Sequence, residues 1–279
     1  LFRRTAFLVG PLVAAGVLLV TTDFAVGFQV VLAVAVVFAV VATAVQHRLY
    51  RTADNIGKSF GGVDDIVADL RGLPPELRPL LVADTLVRFA NGMVYVFFVI
   101  VVTDFLEVGL DIGGLVLAPE TFFGVLLAVE MLVALVSMPV AARLAERVGL
   151  KPVVALGFSV YAVFPVLLVL SPADAAVVTL LFGLSGLRFA GLPAHKALIV
   201  GPAERDTGGR VAGSYYLVRN TVVIPSAAIG GALYGGFSVP GSALAFEGSP
   251  ELTFSIATVV GLVGTAYFLL FGREFDAYE

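Results

Sequence analysis

Ser137-Met-Pro-Val-Ala-Ala-Arg-Leu-Ala-Glu-Arg-Val-Gly-Leu-Lys-Pro152 joins two long apolar stretches. Its charges, Arg143, Glu146, Arg147 and Lys151, are crowded between a run that ends near residue 142 and another that begins at residue 152. Glu146, Arg147 and Lys151 can pair with one another and with open helix ends. Gly149 permits a tight turn, and Pro152 suits the first turn of a following helix. The stretch reads as a short loop between two membrane-spanning helices.

The rest of the chain repeats that arrangement. Of the 279 residues, 59% are hydrophobic and 14% charged, a balance that excludes an ordinary soluble domain. Apolar runs occupy roughly 5–21, 25–46, 80–103, 119–142, 152–171, 175–199, 211–236 and 252–272. Each is long enough to cross about 30 Å of hydrocarbon as a helix. The runs are continuous and too long for the alternating strands of a barrel. The fold expected is an all-α membrane protein with eight transmembrane helices. No cysteine is present, which removes disulfides and thiolate metal sites. His47 and His195 lie near different helix ends, so no metal or other cofactor is expected.

Residues 47–79 form the one long polar segment. Val63, Ile66, Val67 and Leu70 fall at helical spacing and suggest a short amphipathic helix on the membrane surface. Ile56-Gly57-Lys58-Ser59 has part of a phosphate-binding loop, but Thr52 stands where its first glycine belongs and no strand precedes it. Neither nucleotide nor nucleic acid is expected as a partner.

The loops near 22–24, 104–118, 172–174 and 237–251 contain no Lys or Arg but carry Asp23, Asp104, Glu107, Asp111, Asp174, Glu247 and Glu251. The alternate loops carry the basic residues from Arg48 to Arg78, from Arg143 to Lys151, from Lys196 to Arg210, and Arg273. The positive-inside rule puts this second set, and the C-terminus, in the cytoplasm of a multi-pass cell-membrane protein.

Ionisable residues within the spans are the candidate site. Asp84, Arg88, Asn91 and Tyr95 form one stripe at steps of 4, 3 and 4. Tyr215, Arg219, Val222 and Ser226 form another. Glu130 lies about 15 Å deep and has no basic residue one turn away, so a partner must come from another helix. Loading and releasing a proton there is one role, pairing with an arginine another. Arg188 and Arg219 could bind an anionic or zwitterionic solute beside Asp84 and Glu130, or clamp helices together. Ala227, Gly231 and Gly235 repeat every four residues and suggest a close helix contact.

The loop at Ala142-x-x-x-Glu146-Arg147-x-Gly149-Leu150-Lys151 resembles the signature Gly-x-x-x-Asp-Arg-x-Gly-Arg-Lys of the major facilitator superfamily. It departs at Ala142, Glu146 and Leu150, as a second, degraded copy between the eighth and ninth helices does. Pro11 to Gly16 and Pro225 to Gly230 share Pro-x4-Gly, matching the family's fifth and eleventh helices. The resemblance implies helices five to twelve, lacking the first four: residues 1–46 end the first bundle, 47–79 link, and 80–279 form a complete six-helix bundle. It further implies transport of a small solute by alternating access, driven by a proton or sodium ion. Glu146, Arg147, Gly149 and Lys151 would act as the conformational latch. A non-transporting scaffold or sensor is the alternative. No enzyme motif is visible.

Overall fold

The computed structural model describes residues 2–21, 23–49, 71–201, 208–238 and 245–274. The surface helix read from Val63 to Leu70 and the loop around Lys58 lie outside them. Among the described residues, six helical runs are long and apolar enough to cross a membrane: Phe24–Leu49, Pro75–Phe105, Pro119–Val148, Leu150–Val169, Ala175–Val200 and Pro250–Phe271. The remaining two expected spans are also helical. α1 covers Phe2–Val20, with its apolar part at Thr5–Val20. The stretch 211–236 divides into α8 (Gly208–Val223) and α9 (Ser226–Gly235). Pro225 causes that division, because it has no N–H and its ring cannot follow a regular helical turn.

The other helices are α2 (Phe24–Leu49), α3 (Arg78–Val94), α4 (Pro119–Val148), α5 (Leu150–Val169), α6 (Ala175–Gly186), α7 (Leu192–Val200) and α10 (Pro250–Phe271). Two runs change pitch midway. α3 continues through a 3₁₀ turn at Tyr95–Phe97 into a π turn at Val101–Phe105, and α6 joins α7 through a 3₁₀ turn at Leu187–Phe189. Two hairpins were not legible as strands in the sequence. β1 (Leu110–Ile112) pairs antiparallel with β2 (Leu115–Leu117) across a turn in which Gly113 and Gly114 have φ of 58° and 93°. β3 (Phe237–Ser238) pairs with β4 (Ala245–Phe246).

Small residues set how closely the helices approach. α10 lies between α3 and α5. A Cβ at Gly261 would come within 2.9 Å of Ala162, and one at Gly264 within 2.9 Å of the Ala83 carbonyl. α1 lies along α4, where Gly124 faces Pro11 and Ala15. At the α3–α9 seam the expected packing face is corrected. Gly230 is buried against the Met93 backbone and Ser226 against Gly92, whereas a Cβ at Gly231 or Gly235 would meet open space. Restarting the helix after Pro225 turns Ser226 and Gly230 inward in place of Ala227, Gly231 and Gly235.

The buried apolar residues form two clusters, one above the other. The first gathers Leu77, Leu80, Val87, Phe158, Tyr161, Leu198, Tyr215 and Phe268 toward the end of the bundle where α3 begins. The second gathers Met93, Phe98, Phe122, Phe164, Phe182 and Phe254 toward the opposite end. Most of α2 and one side of α4 remain exposed, including Phe38, Val136 and Val140. Exposed apolar surface of this extent suits lipid or a further helical partner.

Candidate functional site

Asp84 is fully buried on the second turn of α3 and is the centre of the larger polar cluster. Arg88, one turn on, donates from Nε to Oδ1 at 3.2 Å. Arg219 of α8 donates from Nη1 to Oδ2 at 3.0 Å, and the Tyr215 hydroxyl donates to the same oxygen at 3.1 Å. His195 of α7 brings Nε2 to 3.3 Å from Oδ2, yet that buried nitrogen makes no hydrogen bond. One carboxylate thus ties α8 to α3 and has α7 alongside through His195.

The two arginines are held from their other sides as well. Arg88 donates from Nη1 to the Tyr161 hydroxyl at 3.0 Å and sits 4.8 Å from that ring. Arg219 donates from Nε and Nη2 to Asn220 Oδ1 and lies 4.8 Å above the Tyr216 ring. Both guanidinium groups keep some access to the outside, with 25% and 16% of their side chains exposed, whereas Asp84 has none. The cluster therefore shows an excess of positive charge to its open side.

Beyond Arg88, Asn91 is half-buried and Tyr95 is exposed, so the α3 stripe runs from a closed end at Asp84 to an open one. Ser226, past the break at Pro225, is buried against Gly92, one turn beyond Arg88 on α3.

Glu130 of α4 and Arg188, on the 3₁₀ turn between α6 and α7, form a second cluster. Arg188 Nη2 is 2.6 Å from Glu130 Oε1, and each side chain is only 3% exposed. Ser185 also donates to that carboxylate oxygen. Phe98, Tyr161, Phe164 and Phe189 surround the guanidinium, with ring centroids 4.8–5.9 Å from its carbon. These rings come from both apolar clusters, so the ion pair lies at their junction. Cation–π attraction of this kind is strong where water is excluded.

Tyr161 belongs to both polar clusters, with its hydroxyl on Arg88 and its face toward Arg188. Tyr161, Ser185 and His195 were not among the residues singled out from sequence. His195 was read as too far from other ligands for a metal, and its spacing from Asp84 along the chain gives no local signal. Among the described residues no group of three or more His, Cys, Asp or Glu could hold a metal ion.

At the signature-like loop, α4 extends to Val148 and Gly149 alone makes the turn, with φ of 92°. Glu146 and Arg147 are exposed on the last turn of α4. Among the described residues no ion pair joins Glu146, Arg147 and Lys151. A carboxylate from beyond α10 occupies the turn instead. Glu274 accepts the Leu150 N–H at 2.6 Å and the Lys151 N–H at 2.9 Å, so the exposed amides at the start of α5 hold an anion. A Cβ at Gly149 would come within 2.8 Å of that carboxylate.

No protein-family model matches the sequence, and no curated protein matches it. Solved structures do share its architecture. A POT family transporter in complex with a thioalcohol-conjugated peptide superposes with a TM-score of 0.55 at 12% identity, covering 90% of this chain and 55% of that one. A POT family transporter in complex with 5-aminolevulinic acid gives the same TM-score and identity, with 91% and 55% covered. The chain spans about half the length of the transporters it resembles. The likeness is one of fold: a multi-pass, all-α membrane architecture of the kind transporters use.

Proposed function

We propose that the chain is part of a secondary active transporter and supplies helices five to twelve of a twelve-helix protein. Two bundles would rock about a central site and carry a small solute across the membrane, coupled to a proton or a sodium ion. The observation that carries this reading is the Asp84 cluster. A charge within the bilayer costs about 2.5–3.5 kcal/mol even on a lenient scale, and such groups mark solute and ion pathways. Here a buried carboxylate gathers two arginines that remain partly open on one side.

In this reading Asp84, Arg88, Asn91, Tyr95, Tyr215 and Arg219 line the solute or ion route. Glu130 and Arg188 hold α4 to the α6–α7 turn at mid-membrane. The loop of Glu146, Arg147, Gly149 and Lys151 is a joint between rigid helices, tied by Glu274. The loops rich in Lys and Arg face the cytoplasm, as does the C-terminus, in a cell membrane. No enzymatic step is assigned.

A scaffold or sensor without transport is the second reading, and the closed Glu130–Arg188 pair favours it, since a pair so buried joins helices without opening to a solute. Uptake into proteoliposomes separates the two. A twelve-helix protein containing this chain is expected to take up a solute saturably, with 5-aminolevulinic acid and short peptides as the first compounds to try. The 279-residue chain alone is expected to take up none. Absence of uptake by the larger protein across a broad panel of anionic and zwitterionic solutes, with the fold intact, supports the scaffold.

A further inference from the structure

Three donors converge on one oxygen of Asp84. Arg219 Nη1 is 3.0 Å from Oδ2, the Tyr215 hydroxyl 3.1 Å and His195 Nε2 3.3 Å. A carboxylate oxygen has two lone pairs, so two well-aligned hydrogen bonds fill it. Arg219 and Tyr215 make those two, and His195 Nε2 is left buried, close and unpartnered. An unpaired buried nitrogen is costly, and the nearest acceptor is already taken.

We propose that His195 and Arg219 are alternative occupants of Asp84 Oδ2, and that protonating His195 frees Arg219 to bind the carboxylate of a solute. This rests on the transport reading for its purpose but not for its test. The titratable groups against His195 are Asp84 on α3 and Tyr215 on α8, and Asp84 brings Arg88 of α3, Arg219 of α8 and, through Arg88, Tyr161 of α5 into the same cluster. With neutral His195 they hold one carboxylate between two arginines. A proton on His195 adds a further positive charge to a buried site. The cluster relieves it by letting the cation with an outward route depart.

Arg219 is that cation. Arg88 is fixed on the same helix as Asp84 and to the Tyr161 hydroxyl, whereas Arg219 already touches the exposed Asn220 and the Tyr216 face. Once displaced, its planar fork matches an incoming carboxylate. His195 then completes the pair with Asp84. Histidine changes charge in the range of physiological pH, which suits such an exchange. Proton entry and anion capture are therefore two halves of one exchange at a single oxygen.

The test is nitrogen-15 NMR of the full 279-residue chain in nanodiscs, following the imidazole of His195 and the guanidinium signals of Arg219 and Arg188. Between pH 8 and 5, His195 should gain its proton and Arg219 should lose its carboxylate-paired signal at the same midpoint. Arg188 should stay paired and so report an intact fold. Acetate, the probe for a solute carboxylate, should bind Arg219 at least tenfold more tightly at pH 5.5 than at pH 8. In His195→Phe, which keeps the aromatic surroundings, Arg219 should stay paired throughout and the acetate ratio should fall to about one. His195→Gln, which cannot take up the charge, replaces it if the Phe variant does not fold. Arg219 remaining paired across the His195 titration overturns the proposal. So does a His195 that never titrates in this range, a freed Arg219 that ignores acetate, or the same pH response in the variant. None of these outcomes depends on whether the protein transports, so a failed exchange and a failed transport reading remain distinguishable.

Discussion

Removing both members of the Glu130–Arg188 pair should cost clearly less than the sum of removing each alone. Arg188→Gln leaves a carboxylate that is 3% exposed without its cation, and Glu130→Gln strands a guanidinium ringed by four aromatic side chains. Unit charges about 4 Å apart attract by about 4 kcal/mol at an effective dielectric of about 20. Opening a buried pair from one side typically costs about 3–5 kcal/mol. Neutral hydrogen-bonded pairs between membrane helices average only about 0.6 kcal/mol, because the membrane-inserted unfolded state also finds partners. The coupling expected here lies between these limits, at about 2 kcal/mol. The assay is a double-mutant cycle on unfolding in mixed detergent micelles, using Glu130→Gln, Arg188→Gln and the double variant. Each single variant should lose about 3 kcal/mol, and the double variant about 4 kcal/mol, short of additivity by the coupling because no uncompensated charge remains. Losses that add to within about 0.5 kcal/mol would refute the reasoning, and Glu130 would then have to act independently of Arg188.

Glu274→Ala removes the anion from the start of α5, and loss of a helix cap costs about 1 kcal/mol; hydrogen exchange at the Leu150 and Lys151 amides should quicken roughly fivefold while α3 is unchanged. Gly230→Ala forces α9 away from the Met93 backbone and should destabilise by about 1–3 kcal/mol, as overpacked cores do, whereas Gly231→Ala should be near neutral because open space surrounds it; unfolding midpoints of the two variants compare them directly. Single cysteines at Asp111 and Lys58 should differ toward an impermeant reagent on intact cells, with only the Asp111 site reacting, and the reverse pattern would show the opposite orientation.

Class and span positions were legible because they depend on long-range composition. A run of some twenty apolar residues has few structural solutions in a protein this poor in charge. The break at Pro225 was legible in principle, since proline interrupts a helix wherever the backbone must donate there. Its consequence was not, because the angle at which a helix restarts depends on the neighbour it meets. That is why Ser226 and Gly230, rather than Gly231 and Gly235, face α3.

The acidic loops have a local cause that charge counting does not see. Asp23, Asp174 and Ser249 accept backbone N–H bonds at the starts of α2, α6 and α10. These helices begin on the side lacking Lys and Arg, and their positive ends favour acidic or hydroxyl caps. Residues of the site that lie on one helix, such as Asp84 and Arg88, were legible from spacing. His195 and Tyr161 were not, because they reach the cluster only through packing across helices. Glu274 sits more than a hundred residues from the loop it caps, and only folding brings the two together.

The most direct measurement is proton-driven accumulation by the twelve-helix protein in proteoliposomes, compared with its Asp84→Asn variant under the same imposed pH gradient. Asn keeps the shape of the side chain but removes the charge on which Arg88, Arg219 and His195 converge. The account predicts that the unaltered protein concentrates solute against its gradient and that the variant does not, although it remains folded and inserted. Equal uphill accumulation by both would contradict the assignment of Asp84 as the centre of the site.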